Sequence, residues 1–118
     1  MQMRRRGVVL TILLGSTSVV QAQGEAWLKG RWELKFDPDG SPKDHLEFGE
    51  SGQVANISPQ GRVVSGLYVV RDGTVRISFV LPNGKTLPLM LVPSEDRRQL
   101  RLKSEKTGNV AIYEKARP

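Results

Sequence analysis

The chain has no cysteine, one histidine and 6% aromatic residues in its 118 positions. Without cysteine there is no disulfide, no thiol nucleophile and no thiolate metal ligand, so an apolar core alone must stabilise the fold. A single histidine, His45, is too few for a histidine-based zinc site. We therefore expect no catalytic residues, no metal and no cofactor.

The sequence also lacks an apolar run long enough for a membrane-spanning helix, which needs about 18 uncharged residues. The longest apolar stretch, residues 8–14, follows three consecutive arginines and ends before Gly15. A charged start, a short apolar run and small residues up to Ala22 are typical of a secretory signal peptide. The sequence predicts cleavage after Ala22 and a folded domain over residues 23–118.

Cleavage at this position removes three arginines and lowers the formal charge from +6 to +3. Nucleic-acid-binding proteins usually concentrate more basic charge than this, and no glycine-rich phosphate loop is present. We expect an exported protein, periplasmic or extracellular, with no nucleic-acid partner and no stable membrane anchor after cleavage.

After residue 30, short alternating stretches are separated by turn residues, as in antiparallel strands. The predicted strands cover residues 31–36, a segment with Leu46 and Phe48, 54–58, 62–71, 74–81, 85–92, 98–103 and 109–115. Asp72-Gly73 and Asn83-Gly84 predict tight hairpins. Only residues 24–29 suit a helical turn, which Gly30 would end. The pattern predicts an all-β meander of about eight strands, closed into a small barrel or strongly curled.

Alternation along these strands predicts which apolar side chains face inward. The predicted inward set is Trp32, Leu34, Phe36, Leu46, Phe48, Val75, Ile77, Phe79, Leu81, Leu87, Leu89, Leu91, Leu100, Leu102, Val110 and Ile112. Within it, the candidate residues for ligand contact or core packing are Trp32, Leu34, Phe36, Phe48 and Phe79. An eight-stranded barrel is either filled by its own side chains or holds one small ligand, and both alternatives stay open here.

Several short motifs resemble a known group of barrels. The turn at Trp27 followed by Gly30-Arg31-Trp32 resembles the Gly-x-Trp entry of lipocalin-like, or calycin, barrels. The segment 112–115 is similar to the last strand of fatty-acid-binding proteins, and the spacing of residues 46–48, 66–68 and the two hairpin turns resembles small secreted bacterial lipocalin-like domains of unassigned function. The resemblance implies a barrel that binds a small apolar molecule.

Two predicted strands, residues 62–71 and 85–92, are apolar on both faces. Together with Val80 of the strand between them, their outer side would show an apolar surface made of Val64, Tyr68, Val70, Val80, Met90 and Val92. Contiguous exposed apolar area usually marks a partner surface. The alternative is that the N-terminal turn with Trp27 and Leu28 covers it.

Charged residues suggest two further features, each with an ordinary explanation. Outward positions carry a set of basic residues, Arg76, Arg98, Arg101 and Lys103, which would suit anionic lipid headgroups or cell-wall polymers, or form a simple solvated face. The group Asp37, Asp39 and Asp44 lacks the spaced ligands and the final glutamate of a calcium loop, so it indicates a turn. His45 beside Glu47 is interpreted as a solvated strand residue.

These observations favour an exported, non-catalytic binding module that carries a small apolar ligand in the barrel. The alternative is an envelope interaction or inhibitor module that docks on a protein partner through its apolar sheet surface.

Overall fold

A computed structural model describes residues 25–117, which form a closed antiparallel barrel of eight strands. The strands are β1 (Gly30–Phe36), β2 (His45–Phe48), β3 (Gln53–Ile57), β4 (Val63–Arg71), β5 (Thr74–Val80), β6 (Thr86–Pro93), β7 (Gln99–Lys103) and β8 (Val110–Lys115). Each strand pairs with the next, and β8 pairs with β1 to close the barrel. The predicted all-β meander is confirmed, whereas the predicted signal peptide lies outside the described residues.

The turns follow from residues that tolerate positive φ. Asp72 and Gly73 both adopt it, at 53° and 75°, as a two-residue type I′ hairpin requires. The β5–β6 hairpin is longer: the Leu81 amide donates to the Lys85 carbonyl at 2.8 Å, and Gly84 has a φ of 83°. Both predicted hairpins are confirmed.

The N-terminal segment forms one hydrogen-bonded turn, in which the Leu28 amide donates to the Glu25 carbonyl at 3.1 Å. Between residues 25 and 117 all regular elements are strands, so none is a helix of the length and hydropathy needed to cross a membrane. The turn leads directly into β1 through Gly30, whose φ is 116°.

The interior of the barrel is one continuous apolar core. Its buried members are Leu28, Trp32, Leu34, Leu46, Phe48, Val54, Tyr68, Val75, Ile77, Phe79, Leu91, Leu100 and Tyr113. The side chains predicted to face inward from β2, β5 and β7 do so, as do those of the first part of β1. Leu89 and Leu102 pack against this core while partly buried.

The predicted inward position of Phe36 is wrong, because its side chain is 55% exposed. The pairing of β1 with β8 has an irregularity between Leu34, which pairs with Tyr113, and Phe36, which pairs with Ile112. A bulge at this point shifts the alternation by one residue and turns the end of β1 outward.

The predicted phase of β4 is also wrong. Tyr68 pairs with the buried Ile77, and Val70 pairs with the buried Val75. Directly paired residues face the same side of a sheet, so Val64, Tyr68 and Val70 face the interior. The outer side of β4 instead carries Val63, Leu67 and Val69, all exposed.

In β8, Val110 and Ile112 were expected inside, and this expectation is wrong as well. Tyr113 pairs with Leu34 and Leu100 and is buried, and Ala111 pairs with the inward Leu102. Val110 and Ile112 therefore lie on the opposite, outer side. Neither β4 nor β8 alternates between apolar and polar residues, so the pattern carried no phase information.

Candidate functional site

The two ends of the barrel are covered differently. At one, which we call the closed end, the N-terminal turn packs against the core through Leu28 and against the loop of residues 94–98 through Trp27, whose ring lies 4.8 Å from the Arg97 guanidinium. The other, which we call the open end, is bordered by four loops, residues 37–44, 58–62, 81–85 and 104–109.

The closed end is sealed by fully buried side chains. Leu28, Trp32 and Leu91 are 0% exposed. The Trp32 indole nitrogen donates to the Leu28 carbonyl at 2.8 Å, and the rings of Trp27 and Trp32 meet edge to face with centroids 6.3 Å apart. These three side chains are therefore completely shielded from solvent.

Lys115, the last residue of β8, holds the N-terminal turn in place. Its ammonium donates to the backbone carbonyls of Trp27, at 2.8 Å, and Lys29, and lies 5.1 Å from the centre of the Trp32 ring. A cation above an aromatic face is attracted by the ring quadrupole. Partial burial lowers the pKa of Lys115.

At the open end, inward-facing side chains become progressively more exposed. Along β6, Leu91 is 0% exposed, Leu89 is partly buried and Leu87 is 41% exposed. Leu87 pairs with the buried Phe79, so it faces inward and still meets solvent. Val64 is only partly buried too. The open end thus has an apolar rim in contact with water.

Of the candidate ligand-contact residues, Trp32, Leu34, Phe48 and Phe79 are core residues that pack on one another, and only Phe36 lies elsewhere. Phe48 meets Tyr68 edge to face at 5.0 Å, and the Tyr68 hydroxyl donates to the Gly49 carbonyl at 3.0 Å. Trp32 and Phe48 fill the interior toward the closed end, and Phe79, which pairs with Leu87, lies toward the open end.

Gly66 of β4 allows the Phe79 ring to lie against the barrel wall. A Cβ atom at this position would lie 2.4 Å from the Ser78 carbonyl oxygen and 2.9 Å from the Phe79 ring. The glycine therefore permits the close packing of the Phe79 ring against β4.

Three polar side chains, which sequence reasoning had not selected as a site, face the interior of the barrel, two of them near the open end. Asn56 pairs with the inward residues Leu46 and Val64. Asp44 lies just before β2 and two residues before Leu46, so it faces the same side as Leu46. Tyr113 is the third. The sequence held one signal for this site: Asn56 lies two residues after Val54 and therefore faces the same, buried side of β3.

Burial, together with the nearby carboxylates of Asp44 and Asp37, raises the pKa of Tyr113 to about 12. The hydroxyl therefore stays protonated at neutral pH. The Oδ1 atoms of Asp44 and Asn56 are shielded from solvent and have no hydrogen-bond donor in the described part of the chain.

The outer face of β4–β6 carries exposed apolar side chains. Of the predicted partner surface, Val80, Met90 and Val92 do face outward and are exposed. A shallow groove on the outer side of β2–β5 is lined by Ala55, Leu67 and Val80, together with Gly66. We refer to it as the outer groove.

Charged groups lie mostly on the outside. Arg76, Arg98, Arg101 and Lys103 are all exposed, and none belongs to the ion pairs found in the described residues. His45 Nε2 lies 3.0 Å from Glu47 Oε2.

The aspartates of the 37–44 loop serve different structures. Asp37 accepts the Ser41 amide at 3.0 Å, and the hydrogen bonds from Ser41 lower its pKa. Asp39 accepts the hydroxyl of Thr107, at 2.9 Å, and the side-chain amide of Asn109, at 2.8 Å. Residues 25–117 contain no group of three or more His, Cys, Asp or Glu side chains placed to hold a metal ion.

Comparison with models of protein families, with curated proteins and with solved structures gives no match for this chain. The closed eight-stranded antiparallel barrel is consistent with a lipocalin-like fold.

Proposed function

We propose that the chain is an exported, non-catalytic binding protein of the lipocalin-like, calycin type that holds a small apolar ligand at the open end of its barrel. The observation that carries the proposal is the exposure of an inward-facing side chain, since Leu87 is 41% exposed although it pairs with a buried residue. Covering such apolar area contributes about 25 cal/mol per Å².

The size of the ligand is limited by the core. An eight-stranded barrel has room for at most one small ligand, and Phe79, which pairs directly with Leu87, already occupies the interior at the level of the rim. A short apolar group that reaches the rim residues Leu87 and Val64 fits this geometry, whereas a long chain threaded through the barrel does not.

A neutral fluorescent probe, N-phenyl-1-naphthylamine, tests the proposal. Leu87→Asp should weaken its binding by about tenfold or more, because it places a charge in the apolar rim. Met90→Asp is the matched control, on the same strand and 50% exposed but facing outward. Absence of probe binding by the wild type, or equal loss in both variants, would reject ligand binding at this end.

Export rests on the predicted signal peptide of residues 1–22. The intact mass of the protein recovered from the envelope or medium of its host should correspond to a chain that begins at Gln23. Recovery of the uncleaved chain only would show that this part of the proposal is wrong.

A second candidate function, docking on a protein partner in the cell envelope, is supported by a separate observation. Leu67 and Val80 flank the outer groove and are 66% and 57% exposed. Exposed apolar area of this kind usually marks a contact surface. Chemical crosslinking in host envelopes should lose its specific product in Leu67→Asp but keep it in Leu87→Asp, and a product retained in Leu67→Asp would reject docking there.

A further inference from the structure

Asp44 and Asn56 bring two oxygen acceptors into the same part of an otherwise apolar interior. The Leu34 amide donates to the Asp44 carbonyl at 3.3 Å, which places Asp44 beside the inward part of β1. Leu46 is the second residue after Asp44 and pairs directly with Asn56. Asp44 and Asn56 are therefore diagonal neighbours across β2 and β3, about 7 Å apart at Cβ.

Neither acceptor has a hydrogen-bond donor among residues 25–117. The Oδ1 atoms of Asp44 and Asn56 are buried, and no described residue donates a hydrogen bond to them. A buried polar oxygen without a donor is unfavourable, and far more so when it belongs to a carboxylate. A donor from outside the described residues, a ligand group or an ordered water, would complete them.

The surroundings select the chemistry of that donor. Both unsatisfied atoms are acceptors, and one of them belongs to the carboxylate of Asp44. An incoming carboxylate or phosphate would meet a like charge and find no donor at these two oxygens. An ammonium group supplies both a charge of opposite sign and several donors, and a hydroxyl supplies one donor.

We infer that the ligand of the open end is a small amphiphile with an amine head group, received by Asp44 and Asn56 inside the barrel, with its apolar part against the rim at Leu87. This inference rests on the proposed function, because it assigns the head group of that same ligand. A hydroxyl head is the weaker variant of the same chemistry.

Three probes with the same eight-carbon body, octylamine, 1-octanol and octanoate, separate the alternatives in NMR titrations of the full mature protein. Octylamine should bind about tenfold or more tightly than octanoate, with 1-octanol between them, since hydrogen bonds to a charged group are the stronger ones. The shifted amides should lie at residues 44–46, 56 and 111–113.

Asp44→Asn removes the charge and keeps the shape. It should weaken octylamine by about tenfold while 1-octanol changes by less than about threefold. Glu47→Gln is the matched control, because Glu47 lies on the outer side of β2 and is exposed. If Asp44→Asn does not fold, Asn56→Leu makes the same test, since it removes one of the two acceptors.

The outcomes keep the two proposals apart. Equal binding of all three probes at the open end would overturn the head-group assignment and leave ligand binding in place, with ordered water as the partner of Asp44 and Asn56. Binding of none of the probes would overturn both. Loss of octylamine binding in Glu47→Gln as large as in Asp44→Asn would move the site off the barrel interior.

Discussion

The closed and open ends of the barrel are made by the same eight strands, and yet only one excludes solvent. At the closed end Leu28 and Leu91 are fully buried, whereas Leu87, at the other end of the strand that carries Leu91, is partly in water. The difference comes from the short N-terminal turn that packs below Trp32. A few residues outside the sheet thus decide which end of a symmetrical-looking barrel is open to solvent.

The comparison also separates stability from function. Fully burying a large apolar side chain contributes about 1.5–3 kcal/mol, and the closed end holds several such side chains, including Leu28 and Trp32. The rim of the open end is partly exposed and contributes less. Substitutions at the closed end should therefore affect folding, and those at the open end should affect binding.

The largest effect is expected for Trp32→Ala, which should lower the free energy of unfolding by about 3–5 kcal/mol because it leaves a large cavity and a free Leu28 carbonyl. Leu87→Ala should lower it by less than about 1 kcal/mol, since that side chain is already partly solvated. Urea denaturation of both variants measures the contrast. Equal losses would show that the two ends are equally packed.

A smaller loss is expected at alkaline pH. The pKa of Tyr113 is raised from 10.0 to about 12 on folding, so its contribution is complete below pH 10 and is lost as the pH rises toward 12. The shift corresponds to about 2.5 kcal/mol. Urea midpoints measured from pH 9 to pH 12 should fall less steeply in Tyr113→Phe than in the wild type. Identical slopes in the two proteins would show that ionisation of Tyr113 does not cause the loss of stability.

Removing the ammonium that holds the N-terminal turn should lower the free energy of unfolding by about 1–2 kcal/mol. Lys115→Met keeps the aliphatic stem but loses the hydrogen bonds to the Trp27 and Lys29 carbonyls. Both tryptophans lie at the closed end, so their fluorescence should shift to the red. Lys106→Met, on an exposed loop at the open end, is the control and should leave the spectrum unchanged.

The smallest effect concerns the loops around the open end. Asp39→Ala removes the carboxylate that accepts hydrogen bonds from Thr107 and Asn109. It should lower the free energy of unfolding by about 0.5–1 kcal/mol, as expected for exposed hydrogen bonds. Hydrogen exchange should accelerate in residues 104–109 and stay unchanged at the closed end. Glu95→Ala, on an exposed closed-end loop, is the matched control, and faster exchange throughout the barrel would argue against a local clamp.

Much of the fold could be predicted because its signals are local. The Asp72-Gly73 turn needs positive φ at both residues, and the alternation of Val75, Ile77 and Phe79 with polar neighbours assigns the phase of β5. The same reasoning failed for Tyr68 because β4 is apolar on both faces. It failed for Phe36 because a bulge is a property of the pairing between two strands.

The candidate site was harder to predict than the fold. Asp44 and Asn56 are 12 positions apart and look like ordinary loop and strand residues in the sequence. They become neighbours only through the register of β2 with β3. The exposure of Leu87 likewise depends on what packs beyond the end of β6, which alternation within the strand does not report.

The sequence by itself determined that the protein has no thiol chemistry, that it folds as a meander of eight short strands, and where its tight hairpins lie, because composition, period and turn residues act over a few positions. Only the tertiary structure decided that β4 and β8 face Tyr68 and Tyr113 inward, that the N-terminal turn seals one end, and that Asp44 and Asn56 are diagonal neighbours near the other. Those features depend on contacts between distant segments, and where both faces of a strand are apolar only packing selects which face is buried.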